Sequence, residues 1–136
     1  MLVRRSLLLL AVSPVMSSPD SLNQAVERFA QGRSVRDGKV QLLVPELVEN
    51  GNSVPVEVGV LGTEQVLRLL LLAELNPSPE VAQVQFGPRS ARPHIQTRIR
   101  LATSQTLIAL AELADGSIWR QQVRVLVTLA ACVEGG

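Results

Sequence analysis

Apolar side chains at Leu22, Ala25, Val26 and Phe29 recur at i, i+3, i+4 and i+7, the stripe of one helix face. Ser18-Pro19-Asp20 supplies the start, with Ser18 as N-cap and Pro19 at the first helical position, where a missing N–H removes nothing. Gly32 supplies the stop. After a polar link over residues 33–38 the period falls to two. Residues 39–45 read as a strand with Val40, Leu42 and Val44 on one face, and residues 46–53 as a loop around Asn50-Gly51-Asn52. Val54, Val56, Val58 and Val60 alternate along the next strand. Pro55, which cannot donate to a ladder, marks that strand as an edge candidate.

Residues 65–75, rich in leucine, fit a helix or a strand buried on both faces, and the reading adopted is a strand. Asn76-Pro77-Ser78-Pro79 breaks it, and residues 81–86 resume as a strand. Residues 94–101 set Ile95, Thr97, Ile99 and Leu101 against Gln96, Arg98 and Arg100, so one face is core and the other cationic. Residues 105–114 form a further strand, and Asp115-Gly116 predicts a two-residue hairpin turn into residues 117–125. Val123, Val125, Val127 and Leu129 form the inward face of the last strand. About seven short strands at regular spacing, preceded by one helix, describe a mainly β immunoglobulin-like sandwich.

Composition narrows the function. The 136 residues correspond to one domain. Thirteen Lys plus Arg against twelve Asp plus Glu is too balanced for a nucleic-acid footprint. Trp119, Phe29 and Phe86 are the only aromatic residues, too few for base stacking or a sugar platform. At the N-terminus, Arg4 and Arg5 precede the apolar run 7–12 and then small residues, the order of an export signal. Arg4-Arg5-Ser6-Leu7-Leu8 resembles the twin-arginine signal, which implies delivery to the periplasm. The expected division is residues 1–17 as signal, 18–129 as helix plus sandwich and 130–136 as a C-terminal arm; a plain N-terminal extension is the alternative for the first segment. No apolar run approaches the roughly 20 residues that span a bilayer, so membrane insertion is not expected.

Candidate chemistry reduces to one atom. Cys132 is the single cysteine and cannot close a bridge within the chain; it is inert, joined to another molecule, or a reactive thiol. Only Val133, Glu134, Gly135 and Gly136 follow it, a terminal setting from which a thiol can reach other proteins. His94, the single histidine, has no partner set for a metal and reads as an edge or surface residue. Arg98 and Arg100 fit either an acidic partner surface or a solvated face. Glu46, Glu49 and Asn50 share one turn, which suits turn structure better than paired-carboxylate chemistry. No nucleophile elbow, phosphate loop or dinucleotide fingerprint is present, and no cofactor is expected.

Several strings stand together: Gly38-Lys39-Val40, Pro45-Glu46-Leu47, Glu49-Asn50-Gly51-Asn52-Ser53-Val54-Pro55, Asn76-Pro77 with Pro79, Thr97-Arg98-Ile99-Arg100-Leu101-Ala102 with Gln105, Asp115-Gly116, and a near-terminal cysteine after Val127-Thr128. Together they resemble the SoxY family, the sulfur-carrier subunits of periplasmic thiosulfate oxidation. The resemblance implies an immunoglobulin-like sandwich, a heterodimer with a SoxZ-like subunit, and a cysteine arm that presents covalently held sulfur intermediates to separate oxidising enzymes without itself catalysing. It makes Cys132 the attachment point and Ala130, Ala131, Val133, Glu134, Gly135 and Gly136 the arm.

The family tail is Gly-Gly-Cys-Gly-Gly, whereas this chain has Ala130-Ala131-Cys132-Val133-Glu134-Gly135-Gly136. Alanine restricts φ, Val133 adds width beside the sulfur, and the Glu134 carboxylate opposes an anionic adduct. A divergent structural or scaffold subunit without sulfur transfer therefore stands as the alternative function. A disulfide-linked homodimer through Cys132 is compatible with either.

Overall fold

The computed structural model describes residues 19–89 and 92–129. The expected signal, the Ser18 cap and the whole arm from Ala130 to Gly136, Cys132 included, lie outside the described residues. Helix α1 (Pro19–Ala30) is followed by β1 (Val35–Asp37), β2 (Val40–Leu43), β3 (Leu47–Val48), β4 (Val54–Val60), β5 (Val66–Ala73), β6 (Glu80–Gln85), β7 (His94–Ile99), β8 (Gln105–Leu113) and β9 (Ile118–Val127). The larger sheet has the order β1-β9-β8-β5-β6, with β3 pairing β9 beyond the end of β1; the smaller is β2-β4-β7. Both short partners of β9 run parallel to it, and the other pairs are antiparallel.

The larger sheet is buried on both faces at its centre, which explains its leucine runs. Leu69, Leu71, Leu107, Ala109 and Ala111 face the smaller sheet, whose Val40, Leu42, Val54, Val56 and Val58 close the sandwich core. The alternate residues Leu70, Leu72, Ile108 and Leu110, with Ile118, lie under Ala25, Phe29 and Ala30 of α1. Burial of Phe29, 3% exposed, contributes about 1.5–3 kcal/mol to docking the helix. The helix ends through left-handed Gln31 (φ 53°) and Gly32 (φ 81°). There Arg33 Nε donates to Ala30 O at 2.8 Å and Arg68 donates to Phe29 O at 2.8 Å. Glu112 of β8 accepts from both guanidiniums, at 2.6 Å from Arg33 and 2.5 Å from Arg68.

Five local expectations change. β4 is the middle strand of its sheet rather than an edge. Its pairing with β2 reaches only from Val60 to Glu57, so at Pro55 the β2 side of the strand is already open and the missing N–H withdraws nothing from that ladder. The loop over 46–53 contains β3, and the polar link over 33–38 contains β1, two very short strands held by parallel pairing to β9. The Asp115-Gly116 hairpin has three loop residues: Leu113 N donates to Ser117 O, Gly116 N donates to Leu113 O, and Gly116 takes φ 90°. Val127 is the last inward side chain of β9, since Leu129 is 60% exposed. No described helix is long and apolar enough to cross a membrane.

Candidate functional site

All seven predicted arm residues lie outside the described part, so the site is built here from the surface on which the arm is rooted. β9 delivers the chain to that surface. Ser104 Oγ accepts from Val127 N at 2.7 Å, and Thr128 N donates to Val48 O at 3.0 Å. Thr128 Oγ1 donates to Glu49 O at 3.2 Å. Gly51 N then donates to Leu129 O at 2.7 Å, while Gly51 O accepts from Leu101 N at 2.8 Å. The last described residue, Leu129, is thus tied by its backbone to the turn after β3 and, through Gly51, to the segment that follows β7.

Both supporting segments are stiff for identifiable reasons. Asn50 Oδ1 accepts from Asn52 N at 2.9 Å and from Asn52 Nδ2 at 3.0 Å, an Asx turn that closes the segment after β3. The segment after β7 is held by a buried polar network. Asn76 Nδ2 donates to Arg100 O at 2.8 Å, and Asn76 Oδ1 accepts from Ala102 N at 3.0 Å and Gln105 Nε2 at 2.9 Å. Gln105, wholly buried, also accepts from Leu75 N and donates to Thr103 O. No buried polar side-chain atom among the described residues lacks a partner, so this network is complete.

In the segments that the root joins, Glu49 and Arg100 are exposed, as is Arg98 in β7. Arg98 Nη1 donates to Ser53 Oγ at 3.3 Å. A separate hollow of about 770 Å³ opens beside the smaller sheet, with Leu43, Val44, Pro45 and Pro55 as its apolar wall and Glu57 and Arg98 at its rim. Leu129 and the Gly51 turn do not line it. His94 opens β7 with Nε2 3.0 Å from Glu57 Oε1, the edge position expected of it. Among the described residues, no group of three or more His, Cys, Asp or Glu side chains is placed to hold a metal ion.

Three carboxyls are held below their ordinary values, and none adjoins the arm root. A hydrogen bond from Arg120, helped by its charge, lowers Asp37; the Ser117 side chain and backbone lower Asp115. At Glu112 burial pushes upward, but hydrogen bonds and charge from Arg33 and Arg68 together outweigh it. Sequence reasoning did not single out Ser104 or Thr128 as anchors. Their only signal was position, just before β8 and just after the alternating run of β9.

The family model described as sulfur oxidation protein SoxY matches residues 26–132. A comparison with curated protein sequences returned no match. Among solved structures, the sulfur carrier protein SoxY from Chlorobium limicola f thiosulfatophilum is 26% identical. It superposes with a TM-score of 0.72 over 82% of this chain and 100% of its own. The superoxide reductase (neelaredoxin) of Ignicoccus hospitalis is 19% identical, with a TM-score of 0.55 over 83% of this chain and 95% of its own. The superoxide reductase of Nanoarchaeum equitans is 11% identical, with a TM-score of 0.56 over 68% and 100%. At those identities the two reductases show the fold alone. With the family match extending from the first helix through the whole sandwich to position 132, the chain belongs to the SoxY family of sulfur oxidation proteins.

Proposed function

We propose that this chain is a covalent sulfur carrier of thiosulfate oxidation, holding intermediates on Cys132 and presenting them to separate partner enzymes. The observation that carries this reading is that the family match runs to Cys132 itself, on a chain with no second cysteine to oxidise against. The rooted end of β9 supports it, because a firm anchor at Leu129 gives the sulfur a defined origin from which to reach other proteins.

Loading from thiosulfate joins Cys132 Sγ to the sulfane sulfur. The thiol proton is released, and two electrons pass to an electron-accepting partner enzyme, leaving an S-thiosulfonate on the cysteine. The chain supplies the attachment atom and its delivery; oxidation and sulfate release belong to the partners. The twin-arginine-like segment supports a periplasmic setting, where folded proteins arrive after export, and a SoxZ-like subunit is the expected heterodimer partner.

Val133 and Glu134 favour a second reading, a structural subunit that keeps the heterodimer and has lost transfer. Intact-mass analysis after thiosulfate turnover with the partner enzymes separates the two. Sulfur or sulfonate additions confined to the peptide ending at Gly136, and abolished in Cys132→Ser, are the expected result. An unmodified cysteine in a chain that still binds its partner subunit would establish the structural role.

A further inference from the structure

We propose that the free edge of β7 is a docking site for an extended acidic segment of a partner protein, which joins the smaller sheet as a fourth strand. The inference goes beyond the carrier reading, uses nothing of Cys132, and holds whether or not the chain transfers sulfur.

The phase of the ladder decides which backbone groups are available. Leu61 N donates to Lys39 O at 2.7 Å, and Leu42 N turns away from β4 to donate to Gln121 Oε1 at 2.6 Å. Gln41 and Leu43 therefore exchange hydrogen bonds with Gly59 and Glu57, which leaves Val54, Val56 and Val58 to bond Ile99, Thr97 and Ile95 of β7. The N–H and C=O groups of His94, Gln96 and Arg98 point the other way. β7 ends its sheet, so these groups have no ladder partner among the described residues. At the opposite edge, by contrast, the outward N–H of Leu42 is already taken by Gln121. β7 also runs in unbroken register over all six of its residues, with neither proline nor bulge to obstruct pairing.

Charge selects the occupant. His94, Gln96 and Arg98 are exposed, while Ile95 and Ile99 turn to the core. Across the ladder the three meet Gly59, Glu57 and Pro55, so Glu57 is the one acid opposite them, and His94 Nε2 already lies 3.0 Å from it. Arg98 Nη1 reaches Ser53 Oγ, and neither Arg98 nor Arg100, exposed just past the strand, forms an ion pair among the described residues. Antiparallel pairing with a second copy about Gln96 would set Arg98 against His94 and gain no opposite charge. An added strand with acidic residues at alternate positions instead completes a cross-strand ion pair at Arg98, while its backbone takes up the free groups of β7.

A short capped peptide alternating glutamate and valine is the probe, and the full chain is the target. Binding is expected to slow amide hydrogen exchange, read by NMR, at His94, Gln96 and Arg98. Arg98→Glu should raise the Kd by about three- to tenfold, and a lysine–valine peptide should bind this variant better than it binds the native chain. That exchange of preference shows that the variant is folded. The glutamate peptide N-methylated on alternate residues keeps its charge, loses the ladder, and should bind more weakly. Absence of slowing at about millimolar peptide overturns the proposal. So does an unchanged Kd in Arg98→Glu, or equal binding of the methylated peptide, which would reduce the contact to surface charge. Slowing at the same three amides that grows with protein concentration and needs no peptide would assign the edge to a second copy, and also overturns it.

Discussion

Gln105 Nε2 donates to Asn76 Oδ1 at 2.9 Å across 29 positions of sequence, and both residues are shut away from water. This bond joins the break after β5 to the start of β8, and the same asparagine fixes Arg100 and Ala102 through their backbones. The floor beneath the arm root is therefore a polar knot inside an otherwise aliphatic core.

Removing its centre should be expensive. Asn76→Ala leaves the part-buried Ala102 N–H and Arg100 carbonyl and the buried Gln105 amide each short of a partner, and the expected loss is about 2–3 kcal/mol by urea unfolding. Gln105→Leu should cost a similar amount. The double variant should cost less than the sum, because each single change already strands the other partner.

The leucine runs make a second test of how the sheets are buried. Leu70 lies under α1 and Leu71 in the sandwich core, 3% and 2% exposed. Alanine at either position is expected to lose about 2–5 kcal/mol, a large part of an ordinary domain's stability. Leu75→Ala, at a position 40% exposed, should stay within about 0.5 kcal/mol. Tolerance at Leu70 with intolerance at Leu71 would mean that α1 does not cover the sheet.

These residues also show where the sequence was legible. Period-two alternation in β2, β4, β7 and the later part of β9 follows from one-sided burial, and the α1 stripe from packing on a sheet. β5 and β8 carry no alternation because both of their faces are apolar, so only their length and bracketing breakers identified them. β1 and β3 could not be read, since two or three residues of parallel pairing leave no period. Pro55 misled because edge character was assigned to a whole strand when β2 leaves only one end of it open. The Arg33, Arg68 and Glu112 cluster joins three distant segments, a closure that no local pattern encodes.

That cluster predicts an acid-sensitive hold on α1. Glu112 is held below its ordinary value of 4.5 in the folded chain. As pH falls through that value the unfolded chain takes up the proton first, so stability declines; it is fully present above about pH 5 and is lost as pH drops through the lowered folded value. Glu112→Gln should lower stability at neutral pH by about 1–3 kcal/mol and flatten the decline between about pH 5 and 3. Urea unfolding across that range checks both. Asp37 and Asp115 have the same sign and leave a residual slope.

Glu134 bears on the reactivity of Cys132 through its charge. It stands two residues beyond the sulfur, before the terminal glycine pair, and its carboxylate repels an incoming dianion more than it affects a neutral reagent. Glu134→Gln should therefore raise the rate at which Cys132 displaces thiosulfate from tetrathionate, a dianion, relative to its rate with a neutral pyridyl disulfide, by about two- to threefold at low ionic strength, with the gain shrinking in 1 M salt as the Debye length contracts. Val133→Gly should raise both rates together, because removing a β-branched neighbour opens the sulfur to any reagent. Equal ratios in the native chain and Glu134→Gln would mean that this carboxylate does not act on the incoming reagent.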